Sequence, residues 1–99
     1  MSRLLTDELK KALPKLRQQS DIADPIVYAK FFFPASGWTW FVTEGEERGD
    51  DFLFFGYVIG LESEFGYFSL REFEGIKISG FEIERDIFFE PMPFSQIHG

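Results

Sequence analysis

The stretch Phe52-Leu53-Phe54-Phe55-Gly56-Tyr57-Val58-Ile59 decides the fold. One parity carries Phe52, Phe54 and Val58, and the other carries Leu53, Phe55, Tyr57 and Ile59. A strand with one wet face alternates apolar with polar residues; this one does not, so both of its faces are expected to be covered. The run is too short to cross a membrane as a helix. It reads as the central strand of a sheet. If that sheet lacks a second layer, a partner must cover one face.

Upstream, Trp38 to Glu44 alternates as a strand, with Trp38, Trp40 and Val42 on the side expected to anchor a core. Gly45-Glu46-Glu47-Arg48-Gly49-Asp50-Asp51 reads as a charged hairpin loop between the two strands. Val27 to Phe33 is a further strand, ended by Pro34. Short connections between these strands favour an antiparallel meander. Thr6 caps an N-terminal helix, with Asp7 and Glu8 in its first turn and Leu9, Ala12, Leu13 and Leu16 as its apolar stripe. Pro14 should kink or split that helix.

Downstream, Phe65 to Phe68 is a short strand. Ser69 and Glu72 have capping-box spacing, which predicts a helix over 70–74. The run Glu82 to Phe89 alternates, with Ile83, Ile87 and Phe89 on one face and Glu82, Glu84 and Asp86 on the other. Arg85 is expected to pair with Glu64 or Glu44. Pro91 and Pro93 end regular structure, and Phe94 to Gly99 reads as a loosely held tail. The fold class is α+β: an N-terminal helix on a mainly antiparallel sheet of four to five strands, with one short helix near residues 70–74. Residues 1–99 form a single domain, in which one modest core is possible.

The pattern Leu4-Leu5-Thr6-Asp7-Glu8-Leu9, Lys30, Phe31, Pro34, Thr39-Trp40, Thr43-Glu44, Phe55-Gly56, Gly60-Leu61, Glu64-Phe65-Gly66-Tyr67, Ser69-Leu70 and Glu84-Arg85-Asp86 with Phe89 spans nearly the whole chain. It resembles a family of small bacterial proteins catalogued as domain of unknown function 2958. The resemblance implies a setting on plasmids and other mobile elements, and it carries over no catalytic residue. The chain is shorter than many members around residues 45–51 and 75–82, and it has Phe65 where the pattern leads one to expect leucine.

Composition narrows the function classes. There is no cysteine, which excludes disulfides, thiolate nucleophiles and cysteine-ligated zinc. The sole histidine, His98, stands beside the C-terminus, a poor place for a Ser-His-Asp arrangement. The glycines lack the spacing of a phosphate loop. Nothing marks a signal peptide or a membrane anchor, so a cytoplasmic location and no membrane partner are expected.

The net charge is −7, and it is uneven. Residues 1–30 hold six basic groups against four acidic ones; residues 31–99 hold four against thirteen. Such a field repels phosphate backbones, so direct nucleic-acid binding is not expected. The favoured reading is an acidic protein-binding module for a partner with a basic surface. A mobile-element inhibitor of a nucleic-acid-binding defence protein, of the anti-CRISPR or anti-restriction type, fits that description. Glu46, Glu47, Asp50 and Asp51 are the first candidate partner-binding residues, and Glu62, Glu64, Glu82 and Glu84 the second. No catalytic residue, metal ligand or cofactor is assigned. One alternative is a metal-dependent enzyme in which Glu44, Asp50 and Asp51 converge across the hairpin. Another is an accessory or assembly protein acting as a homodimer through a sheet edge or an aromatic face.

Overall fold

The computed structural model describes residues 3–97. The elements are α1 (Asp7–Ala12), β1 (Ile26–Val27), β2 (Ala29–Phe32), β3 (Thr39–Arg48), β4 (Asp51–Ile59), β5 (Ser63–Ser69), α2 (Leu70–Gly75), β6 (Lys77–Ile78), β7 (Phe81–Glu82), β8 (Glu84–Arg85), β9 (Met92–Pro93) and a 3-10 turn at Phe94–Gln96. The architecture is α+β. Five strands in the order β5-β4-β3-β2-β8 form an antiparallel sheet. Two small pairs, β1 with β9 and β6 with β7, stand beside it. The Phe52–Ile59 run is an interior strand, as its composition requires, although β3 holds the exact middle.

Both helices are six residues long, too short to be stable alone, so tertiary contacts must hold them. Thr6 accepts the Leu9 N–H at 3.2 Å and caps α1. Leu13, preceding Pro14, turns extended and ends the helix at Ala12. Ala12 is therefore exposed and Leu16 lies beyond the helix, while Leu4, Leu5, Leu9 and Leu13 enter the core. The Ser69–Glu72 capping box forms as the spacing predicts. It fixes the turn that carries Phe73, which is 2% exposed. That ring lies 5.0 Å from Phe31 of β2, 5.0 Å from Trp40 of β3, 6.0 Å from Phe54 of β4 and 5.4 Å from Phe68 of β5.

The opposite face is covered by aromatics rather than by helices. Phe41, Phe55 and Tyr57 meet Phe65, Tyr67, Phe89 and Phe94, with ring centroids 4.9–6.4 Å apart. Phe94 belongs to the segment expected to be a loose tail. Instead β9 pairs with β1, the Phe94 N–H donates to Pro25, and Ser95 donates twice to the Asp24 carboxylate. Aromatic burial and these bonds together order residues 92–97; His98 lies outside the described residues.

Several other expectations are corrected. Gly45 does not open a loop: β3 continues to Arg48, and Gly49-Asp50 alone form the turn, with Gly49 at φ 61°. A side chain at position 45 would meet the Phe52 ring at 2.5 Å, so glycine marks a close approach there. Trp38 lies at the rim with its ring over Gly60, not in the core. Ser79 and Gly80, both at positive φ, turn β6 into β7, while the expected Glu82–Phe89 alternation is interrupted at Ile83 and again by the turn after Arg85. Ile83 is buried, but Ile87 and Phe88 project from a turn.

Beyond Val42, β3 has no β2 partner, and the segment after α1 fills that edge. The Gly45 N–H donates to Pro14. Glu44, buried, accepts the Arg17 N–H at 2.8 Å and the Gln19 N–H at 2.7 Å. Gln19 in turn donates to Ile26 and Thr43 and accepts from Ile26. Arg17 stands at φ 76°, and the turn there brings its N–H and that of Gln19 to one carboxylate.

Two stability changes follow. Phe73→Ala removes a ring shared by four strands and is expected to cost about 3–5 kcal/mol in urea unfolding. Glu44→Ala strands the buried Gln19 N–H and the part-buried Arg17 N–H and should cost about 2–4 kcal/mol, with Glu44→Gln costing less because one acceptor survives.

Candidate functional site

The eight candidate carboxylates occupy three places. Glu46, Glu47, Asp50 and Asp51 gather at the β3–β4 turn, but each has a partner within the fold. Glu46 accepts the Leu16 N–H and the Arg48 guanidinium, both at 3.0 Å. Glu47 pairs with Lys10 at 3.1 Å and Asp50 with Arg71 at 3.4 Å. Asp51 accepts its neighbour Phe52 N–H at 2.7 Å and the Arg71 N–H in the first turn of α2 at 3.1 Å. Asp51 is thus a second cap on the helix that carries Phe73.

Glu82 and Glu84 lie near Arg3, at 3.9 and 3.6 Å, and Arg3 also donates to the Ile83 carbonyl. Arg85 does not pair with Glu64 or Glu44. Its guanidinium reaches the Thr6 hydroxyl at 3.4 Å, and its Nε is buried without a partner among the described residues. Glu44 faces Phe55 four rungs from the turn, and so does not converge with Asp50 and Asp51. Among the described residues no group of three or more acidic or histidine side chains is placed to hold a metal. Among them, too, no helix is long and apolar enough to cross a membrane.

Glu62 and Glu64 differ from the other six. They lie exposed at the opposite end of β4, and no described cation pairs with either. The cross-strand pairs Phe54–Phe68, Gly56–Gly66 and Val58–Glu64 share one face of the sheet. Phe73 covers the first pair, but no helix reaches the other two. There Trp38, Val58, Leu61, Glu62, Glu64, Gly66 and Tyr67 line an open groove of about 440 Å³. Trp38 is 38% exposed, Tyr67 57% and Leu61 93%. A side chain at Gly66 would meet nothing within 4 Å, so this glycine leaves the groove floor open at no cost to packing. On the far side of Trp38, a wholly apolar groove continues over Phe33, Trp40, Ile76, Ile78 and Ile83.

Among the described residues, candidate carboxylates without a counter-ion meet an exposed indole and a groove at the β4–β5 end. The sequence pointed to Glu62 and Glu64 by charge alone. It missed that Trp38 joins them, because its alternation with Trp40 suggested burial. The signal that could have shown it is Gly60, which a tryptophan ring needs beneath it: a Cβ there would sit 2.4 Å from that ring.

Three carboxyls stand below their ordinary range. Hydrogen bonding from Arg48 lowers Glu46, and the Ser95 hydroxyl and N–H lower Asp24. Desolvation pushes Asp51 up, but bonds from the Phe52 and Arg71 N–H groups, the Ser69 hydroxyl and the Arg71 charge outweigh it and bring Asp51 down. Each such group binds its proton more weakly folded than unfolded. Its contribution is complete above the ordinary carboxyl values of 3.8 for Asp and 4.5 for Glu, and is lost as pH falls through the lower folded value. The urea midpoint should therefore drop on acidification below about pH 4. Asp51→Asn should flatten that acid limb, and an unchanged limb would remove Asp51 from the account.

No curated protein and no solved structure matches the chain. Residues 4–96 match the family described as "Protein of unknown function (DUF2958)". That span takes in every element from the Thr6 cap to the 3-10 turn at Phe94–Gln96, and the chain belongs to this family.

Proposed function

We propose that the protein is an acidic binding module for another protein that presents a basic surface. One observation carries this reading: Glu62 and Glu64 are exposed, lack a described counter-ion and flank a groove walled by Trp38 and Leu61. An exposed tryptophan is among the side chains from which tight interfaces draw most of their energy, and here it stands beside unpaired charge. The unpaired carboxylates would steer a basic partner and fix its orientation. Proteins that hold nucleic acid carry such basic surfaces, and occupying one would displace the nucleic acid. An inhibitor of a nucleic-acid-binding defence protein, encoded on a mobile element, is the role we assign on this basis.

Charge reversal in two places tests it. The full chain, immobilised, is exposed to lysate of its native host, and captured proteins are followed as salt is raised. Glu62→Lys with Glu64→Lys should slow partner association by about tenfold or more. Glu74→Lys with Glu90→Lys makes the same change in net charge at exposed sites elsewhere, and should alter it by less than about twofold. The captured protein should bind nucleic acid and release it when this chain is added. Equal behaviour of the two double variants would overturn the assignment to this groove.

A further inference from the structure

The two edges of the main sheet are unlike. On one side it closes with β8, only two residues long, backed by Arg3 and by the turn that follows. The other side ends with the seven residues of β5, and no described strand pairs with its outer edge. A long edge strand offers unpaired N–H and C=O groups to any extended chain, and proteins usually shorten, charge or cover such edges. Here the edge is long and bordered by the groove.

Side chains alternate across β5. Glu64 and Gly66 face the groove and Trp38, while Phe65 and Tyr67 face the aromatic layer, 42% and 57% exposed. A strand laid beside β5 would alternate likewise, sending every second side chain to each face. One face then offers two carboxylates and an indole ring, which suit a cation carried on an aliphatic stem. The opposite face offers two aromatic rings, which suit an apolar side chain.

We propose that β5 accepts an added strand from an extended partner segment in which basic and apolar residues alternate. The basic side chains enter the groove between Trp38 and Glu64, and the apolar ones cover Phe65 and Tyr67. This mode rests on the protein-binding reading above and specifies how the partner docks. A second copy of this chain is the less favoured occupant: each carries a charge of −7, and neither brings a basic residue on β5 to the carboxylates of the other.

The test uses the full chain and a short peptide alternating arginine with valine. Amide shifts should concentrate at residues 63–68, and tryptophan emission should change. A peptide of the same composition with its arginines in one block, and the alternating peptide N-methylated at every second residue, should each bind about tenfold or more weakly. A Cβ at Gly66 meets nothing within 4 Å, so Gly66→Ala should weaken peptide binding while leaving the urea midpoint in place.

Absence of binding by the alternating peptide, equal binding of the N-methylated peptide, or shifts centred away from β5 would overturn strand addition. So would light scattering that shows the free chain paired with itself through β5. Partner capture separates this inference from the reading beneath it. If Glu62→Lys with Glu64→Lys abolishes capture while N-methylation changes nothing, the basic partner stands and only the strand mode fails.

Discussion

The ring of Phe73 touches a ring from each of four adjacent strands, and the helix side of the molecule is assembled on that contact. A chain of this size has a margin of about 5–15 kcal/mol between folded and unfolded states. One ring whose loss removes several of those has a large hold on the outcome. Much of the local chemistry serves to place it. Ser69 and Glu72 close the first turn of α2, and Asp51 reaches across from β4 to cap the same turn. Three polar side chains from three elements thus fix the position of one apolar one.

A five-stranded sheet has two faces, and two six-residue helices cannot cover both. The chain covers the second face with aromatic side chains from its own strands and with Phe94 from its C-terminal segment. This explains the abundance of phenylalanine. A flat ring spreads much apolar area over a sheet for little loss of side-chain freedom. The cover is incomplete at the edge strand, where Phe65 and Tyr67 stay partly exposed. The face for which the sequence required a second layer or a partner is covered by the chain's own rings, with an unfinished margin.

Local signals in the sequence were legible and distant ones were not. The Phe52–Ile59 run, the Thr6 cap and the Ser69–Glu72 spacing each depend on neighbours within a few positions, and each element starts where expected. Glu44 with Gln19, and Asp24 with Ser95, are held by bonds between residues far apart in the chain. Such pairs leave no periodicity to read. Gly45 misled for a related reason. Its lack of a side chain answers to Phe52 and Leu13, which reach it only in the folded state, so it resembled a turn former. Pro93 misled too: it ends a ladder in most strands, yet it sits on a two-residue edge pair with Ile26.

Acidity in this molecule has two physical meanings. Glu44, Glu46 and Asp51 accept backbone N–H groups and hold the post-α1 segment and α2 in place. Their charge contributes to the exterior field only as a by-product of structure. Glu62 and Glu64 hold nothing that the described residues show, yet they stand where a tryptophan is left at the surface over a glycine. A fold gains nothing by setting two like charges within one residue of each other beside an exposed indole; mutual repulsion and solvent exposure both work against it. That arrangement becomes favourable once a cation and apolar surface arrive together. In the binding role proposed above, the acidic composition acts through two residues of the seventeen acidic ones, and the distinction between them and the rest is geometric, not compositional.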